Sequence, residues 1–314
     1  MAASAQRLRL KAALATYPHT RALKEGSAGD VGLDFDLVEI SPIIAAFRRM
    51  IRTMEFDVSE MALSTYLCAR AHGKPITAIP VFPLRSFQHE SIVYNTKSGI
   101  SGPSDLAGRR VGVRAYTVTG GVWVRGILGD EHGVDSNSIT WVVADEEHVS
   151  EYAFPPNVEQ HVGEDLAKML VAGQIDAAIG VGKVDSPDVR PLIPDGRNAA
   201  IAWAKRTGIY PINHTVIVKN ALLEANPRLA EDLFAAFKRS KQVYLDRLAA
   251  GAGTPEDQAI AGLTDVLGRD PIAYGIAPNR ATLEAMIRYN VEQRVIPSSV
   301  SVESMFAPST LALE

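Results

Sequence analysis

The chain has 314 residues, of which 46% are apolar and 22% charged, with a formal net charge of −4 and a pI near 6.0. That length accommodates two lobes with separate cores, and the composition is that of a packed globular protein rather than a disordered one. The mild acidity gives no electrostatic reason to expect nucleic acid or an anionic membrane as partner, and the single cysteine, Cys68, excludes an intramolecular disulfide and any CxxC motif.

The opening MAASAQRLRLKAALATY carries an apolar run too short and too broken by charge for a signal-peptide core. No later stretch reaches the roughly 18–20 apolar residues of a membrane span, so a cytoplasmic protein is expected. LRLKAALAT predicts a first strand, followed by a polar corner, Tyr17-Pro18-His19-Thr20, and a short helix. Asp34–Ile40 alternates apolar and acidic residues, as a strand with one exposed face does. Ser41 and Pro42 predict the cap and first residue of a helix. Its Ile43, Ile44, Phe47, Met50 and Ile51 share one face, and Arg48, Arg49 and Arg52 read as a solvated opposite face. Phe56–Leu63 predicts a third strand and STYLCARAHG a helix, which makes Cys68 a buried thiol. ITAIPVFP and SIVYNT follow as strands on either side of LRSFQHE. Strands alternating with helices argue a parallel sheet covered on both faces.

A second strand–helix set begins after Asn95. SGPSDLAGRRVGV predicts a one-turn helix capped by Ser104 and then a strand, and AYTVTGG leads into a helix at Val122–Glu131. SITWVVA reads as a strand, GEDLAKMLVAG as a helix and IDAAIGV as a strand. A second corner, Tyr210-Pro211 before His214-Thr215, echoes the first and opens the strand HTVIVK. Three helices complete the chain: one opened by Asn226-Pro227 and running through Leu248, one from Thr254-Pro255 to near Gly268, and one at Thr282–Val295.

This order resembles the type II periplasmic-binding-protein fold, an α/β architecture of two lobes with a central cleft and two crossing strands; SGPSDLAGRRVGV and LAKMLVAGQIDAAIGV carry the likeness. It implies a discontinuous first lobe of residues 1–93 and 214–314 and a second lobe of residues 94–213. A narrower resemblance lies in YPHTRALKEG, PIIAAFRRMIRTMEFDVSEMALSTYLCARAHGKP, IPVFPLRSFQHESIVYNT, YTVTGGVWVRGIL, DSPDVRPLIPD and YPINHTVIV. Together these are similar to the 4,5-dihydroxyphthalate decarboxylase family. The resemblance implies a cytoplasmic, cofactor-independent enzyme that converts a hydroxylated aromatic di-acid, 4,5-dihydroxyphthalate, to 3,4-dihydroxybenzoate and carbon dioxide.

Such chemistry needs a proton donor near the ring, a polar partner for the phenol and a cationic clamp for the retained carboxylate. Histidine suits the first two roles and arginine the third. An open α/β sheet presents its ligand site at strand ends, where the sequence places His19, Glu60, Ser64, Thr65, Arg85, His89, Asn213 and His214 in the first lobe or its crossings. His19, His89, His214 and Glu60 are the candidates for proton transfer. Arg85 and His89, four residues apart, share a face if their loop contains a helical turn. From the second lobe, Arg114, Tyr116, Thr117, Thr119, Gly120 and Gly121 form a strand–helix turn suited to cradling a carboxylate. Glu147 and His148 follow the next strand. A divalent metal held by His19, His89, His214 and Glu60 is a side hypothesis without HxH or HxxxH spacing to support it. The alternatives are a solute-binding protein and another cytoplasmic enzyme on this fold. The C-terminal helices can serve a homo-oligomer or packing within a lobe.

Overall fold

The computed structural model describes residues 7–314, the side chain of Glu256 excepted; the reading of the first six residues lies outside that range. The first sheet begins with β1 (Arg9–Ala13), which buries Leu10 and Ala12 and turns Arg9 outward. After a one-turn α1 (Arg21–Lys24), β2 (Asp34–Leu37) forms the sheet edge, its aspartates facing water as edge strands require. The next helix, α2 (Ile44–Thr53), starts two residues later than expected: the Pro42 and Ile43 carbonyls accept from the Ala45 and Ala46 N–H groups at 3.1 and 2.9 Å in a tighter turn that leads into it. β3 (Val58–Ala62) is buried at every position, and α3 (Leu63–Ala71) and β4 (Ile76–Ile79) follow.

The second sheet is built from β5 (Ile92–Asn95), β6 (Arg110–Val113), β7 (Thr140–Val143), β8 (Val158–Gln160), β9 (Ala177–Ile179) and β10 (Val189–Pro191). Its helices are α4 (Thr119–His132), α5 (Leu166–Val171) and α6 (Gly196–Thr207). The chain then returns as β11 (His214–Lys219) and ends in α7 (Asn220–Ala225), α8 (Leu229–Ala249), α9 (Pro255–Leu267) and α10 (Arg280–Glu292).

Strand order is β2-β1-β3-β11-β4 in the first sheet and β10-β5-β9-β6-β7-β8 in the second. The first sheet is parallel except for β11, which runs antiparallel between β3 and β4 because it arrives from the second sheet. Two segments cross between the sheets, and they pair: Arg85 bridges Ile212, and the N–H groups of Asn213 and His214 both donate to the Leu84 carbonyl, at 2.9 and 3.2 Å. The expected two-lobed architecture with crossing strands is therefore present.

One core cluster packs Leu10, Val58, Val216 and Val218 against Leu233, Phe234 and Phe237 of α8. A larger one runs from Phe47 and Tyr66 through Trp123 and Trp141, so the lobes share apolar contact. Helix α4 begins three residues earlier than its pattern suggests because close packing holds its poor helix formers. A Cβ on Gly121 would meet Val113 at 3.0 Å, and one on Gly126 would meet the Tyr289 ring at 2.4 Å. Strands β8 and β10 are too short, at three residues each, to show alternation in the sequence, and in α6 the unbroken apolar run 199–204 hides the helical period. Among the described residues no helix is long and apolar enough to cross a membrane.

Candidate active site at the lobe interface

Register alone brings two of the candidates together. Glu60 lies opposite Val216 in the β3–β11 ladder, and His214, two residues before Val216, shares its face of the sheet. The side chains are diagonal neighbours, and His214 Nδ1 lies 2.5 Å from Glu60 Oε1. The first Tyr-Pro corner supplies the rest of the carboxylate's partners. Tyr17 Oη donates to Glu60 Oε1 at 2.6 Å, and the Ala15 N–H donates to Oε2 at 2.9 Å. Thr20 braces this corner, its Oγ1 accepting the Tyr17 N–H at 2.9 Å.

Glu60 is fully buried. Burial opposes its ionisation, but the hydrogen bonds and charge of His214, with Tyr17 and the Ala15 N–H, hold its carboxyl below the ordinary carboxylate value. An ionised Glu60 can only accept, so Nδ1 carries the proton and Nε2 is the nitrogen left for chemistry. Burial and the neighbouring Glu60 raise the Tyr17 phenol above its usual range, which keeps it a donor.

Phe47 of α2 stands edge-on between two imidazoles, with ring centroids 5.0 Å from His214 and 5.9 Å from His148. His148 belongs to the second lobe and lies 3.4 Å from Thr65 Oγ1 of the first. Burial, together with the charges of Arg114 and Arg48, lowers its pKa to about 3, so it is neutral. Beside it the Ser64 N–H donates to Thr119 Oγ1 across the interface at 3.1 Å. Tyr17, Glu60, His214, Phe47, Thr65 and His148 thus form a continuous row from one lobe into the other.

Other predicted residues have different work. The expected carboxylate cradle is filled from within: Glu147 accepts from Tyr116 N–H at 2.5 Å, from Thr117 N–H at 3.2 Å and from Thr117 Oγ1 at 2.5 Å. Burial raises the Glu147 carboxyl despite these bonds. Gly120 is packed under Gln88, where a Cβ would meet the amide oxygen at 3.2 Å. The Ser64 hydroxyl is spent on Asn290 at 2.6 Å. Arg85 touches no carboxylate among the described residues. It lies at the crossing, donating to the carbonyls of Tyr210 (3.0 Å) and Pro271 (3.4 Å) with its guanidinium over the Tyr210 ring, and burial lowers its pKa to about 9. Asn213 also serves the crossing, accepting from Ser86 Oγ at 3.2 Å.

His89 opens a 3₁₀ turn that begins too late to share a face with Arg85, and it packs against Trp203 of α6 at 5.3 Å. His19 stacks behind Tyr17 and meets Tyr244 and Tyr274. Burial lowers both imidazoles to about 4. Among the described residues no three His, Cys, Asp or Glu side chains gather to hold a metal, so His19 and His89 do not join Glu60 and His214 in a ligand set. Cys68 is buried as expected, with its thiol pushed up to about 12 by burial.

Sequence reasoning missed Phe47, Arg48, Arg52 and Asp145, and quoted Tyr17 without assigning it a role. Arg48 and Arg52 are one turn apart on α2 and reach the second lobe: Arg48 Nη2 lies 2.8 Å from Asp145 Oδ1, and Arg52 Nη2 lies 2.8 Å from the Glu147 carbonyl. Their i, i+4 spacing put them on one face, but nothing in the sequence says that a second lobe faces it.

Comparison with known proteins adds the following. The family model described as NMT1/THI5 like matches residues 29–250. A 4,5-dihydroxyphthalate decarboxylase from Comamonas testosteroni is 32% identical over 97% of this chain and 98% of its own. One of the same name from Pseudomonas putida is 34% identical over 63% of this chain and 81% of its own. Among solved structures, the periplasmic aliphatic sulphonate binding protein SsuA from Escherichia coli matches with a TM-score of 0.56 at 15% identity, over 97% of this chain and 92% of that one. That last likeness concerns the fold alone.

Proposed function

The chain belongs to the NMT1/THI5-like family and, more narrowly, to the 4,5-dihydroxyphthalate decarboxylase family, and from that premise we propose that it is a carboxy-lyase converting 4,5-dihydroxyphthalate to 3,4-dihydroxybenzoate and carbon dioxide. The observation that carries the chemical role is the Glu60–His214 pair, 2.5 Å apart at the lobe interface and backed by Tyr17.

His214 is the ring-protonating acid. Each carboxylate of the substrate has a hydroxyl para to it, which pushes electron density onto the carbon that must be protonated. In its imidazolium form His214 gives the Nε2 proton to that carbon, forming a C–H bond as the N–H bond breaks. The bond to the carboxylate carbon then breaks, its electron pair restores the aromatic ring, and carbon dioxide leaves. Solvent returns the proton to Nε2. Glu60 holds Nδ1–H throughout and stabilises the imidazolium, while Tyr17 and the Ala15 N–H keep the carboxylate aimed.

The test is to incubate the purified protein with 4,5-dihydroxyphthalate in heavy water and measure carbon dioxide and the aromatic product. The expected product is 3,4-dihydroxybenzoate carrying deuterium where the carboxylate stood, with turnover cut about a hundredfold or more by His214→Ala. Binding without turnover would favour the solute-binding alternative, and neither binding nor turnover would remove the substrate assignment. The cytoplasmic location and a place in phthalate degradation go with this reading. Finding the chain in a periplasmic fraction of its host would count against both.

A further inference from the structure

Three guanidinium groups converge on one short loop. Arg48 and Arg52 come from α2 in the first lobe, and Arg114 follows β6 in the second. Asp145 holds two of them at once: Oδ1 lies 2.8 Å from Arg48 Nη2, and Oδ2 lies 3.0 Å from Arg114 Nη1. Arg52 pairs with Glu146 at 3.0 Å. The third acid of the loop, Glu147, is turned away to Tyr116 and Thr117. Three cations therefore face two outward carboxylates.

Asp145 gives one oxygen to each lobe, which is how a ligand carboxylate held between two closing lobes would bind. Arg48 Nε is buried without a partner, so that fork has an unspent donor. The side chains of Arg48, Arg114 and Asp145 are 34%, 36% and 35% exposed, so water and ligand reach them. Ion pairs this accessible are weak and exchange readily. A solvent-open groove of 340 Å³, lined by Arg52, Glu146, Glu147 and Tyr152 among others, lies along the same loop. The site also borders the interface imidazoles: the charges of Arg114 and Arg48 act on His148, which shares Phe47 with His214.

We propose that Asp145 stands in for substrate: the Arg48–Arg114 pair is the site for the second, retained carboxylate, which displaces Asp145 and selects aromatic di-acids over mono-acids. The inference rests on the decarboxylase reading and extends it to the residues that set specificity. A substrate carboxylate makes the same two contacts without being tied to the loop. It can also use the free Arg48 donor, and because it touches both lobes it favours the closed form. Asp145 remains an ionised competitor, because its bonds with Arg48, the Glu146 N–H and Arg114 outweigh partial burial and hold its carboxyl below the ordinary value.

The test is calorimetric titration of the full chain with phthalate, which has both carboxylates but no para hydroxyl, and with benzoate. The proteins compared are the unaltered chain, Arg48→Gln, Arg48→Lys and Asp145→Asn, each checked for folding by thermal melting. Phthalate should bind more tightly than benzoate. Arg48→Gln should weaken phthalate about tenfold to a hundredfold, the worth of a charge-assisted pair, and leave benzoate within about threefold. Arg48→Lys should lose less, and Asp145→Asn should tighten phthalate several-fold. The inference is overturned if Asp145→Asn weakens phthalate as Arg48→Gln does, if Arg48→Gln weakens both ligands alike, or if the unaltered chain does not bind phthalate. Because no turnover is needed, Arg48-dependent phthalate binding without carbon dioxide release from 4,5-dihydroxyphthalate would sink the decarboxylase reading alone.

Discussion

Glu60→Gln isolates the charge behind His214 while leaving the shape of the site nearly unchanged. A glutamine carbonyl at the Oε2 position still accepts from the Ala15 N–H, 2.9 Å from that oxygen, while the amide NH2 takes the Oε1 position beside Tyr17 Oη and His214 Nδ1. What disappears is the negative charge beside an imidazole nitrogen 2.5 Å away. Between charge centres about 4 Å apart at an effective dielectric constant of about 20, that interaction is worth about 4 kcal/mol. At 1.36 kcal/mol per power of ten, losing the charge makes the imidazolium up to about a thousandfold harder to form, and proton delivery slows by up to that factor. The amide also offers a donor to Nδ1, which favours the tautomer with the proton on the wrong nitrogen. Steady-state decarboxylation, followed by product absorbance, should therefore show kcat down about a thousandfold, with KM within a few-fold because Glu60 touches no group of the second lobe. A kcat within about tenfold of the parent, in a variant with an unchanged melting midpoint, would refute the assignment of Glu60 and His214 as the acid pair.

Other outcomes follow from the same structure. Arg85→Met should lower the melting midpoint, at a cost of about 2 kcal/mol for the bonds to the Tyr210 and Pro271 carbonyls less the relief of a buried charge, while KM stays within about threefold; a tenfold rise in KM would restore Arg85 as a clamp. His19, His89 and His148 are held by burial to about 4, 4 and 3, against 6.5 in the unfolded chain. The unfolded state therefore takes up protons first as the pH falls. Stability is full above pH 6.5 and declines below it by about 1.4 kcal/mol per pH unit for each imidazole. His89→Leu removes one of these three, so the fall in melting midpoint between pH 6.5 and 4.5 should be shallower by about a third, and an unchanged slope would contradict a neutral buried His89. Gly126→Ala drives a methyl to within 2.4 Å of the Tyr289 ring, whose hydroxyl donates to Asp130 at 2.5 Å. Calorimetric unfolding should show a loss of about 2 kcal/mol, overpacking outweighing the gain in helix propensity.

The two Tyr-Pro corners show how far local pattern reaches. The first follows strand β1 and the second precedes strand β11, both strands of the first sheet. Their tyrosines have diverged in use. Tyr17 donates to Glu60, whereas the Tyr210 carbonyl anchors Arg85 and its hydroxyl reaches the Arg85 carbonyl at 3.4 Å. One corner aims the proposed acid and the other fastens the crossing segments. His19, the histidine inside the first corner, points into the packing behind Tyr17, so similarity of sequence did not carry similarity of role.

Hydrophobic alternation and helix-start residues placed most strands and helices and put Glu60 and His214 at strand ends, and the likeness of quoted motifs to a known family implied the two lobes and crossing strands, because each of these is written in residues near one another in the chain or in a pattern repeated along it. Tertiary structure decided which candidates meet. Glu60 and His214 are 154 positions apart and become neighbours only through the β3–β11 register. Arg48 and Asp145, 97 positions apart, find each other only because the fold sets one lobe against the other. A solvated arginine and a salt-bridged one look the same in sequence, since the difference between them is the charge placed opposite by another part of the fold.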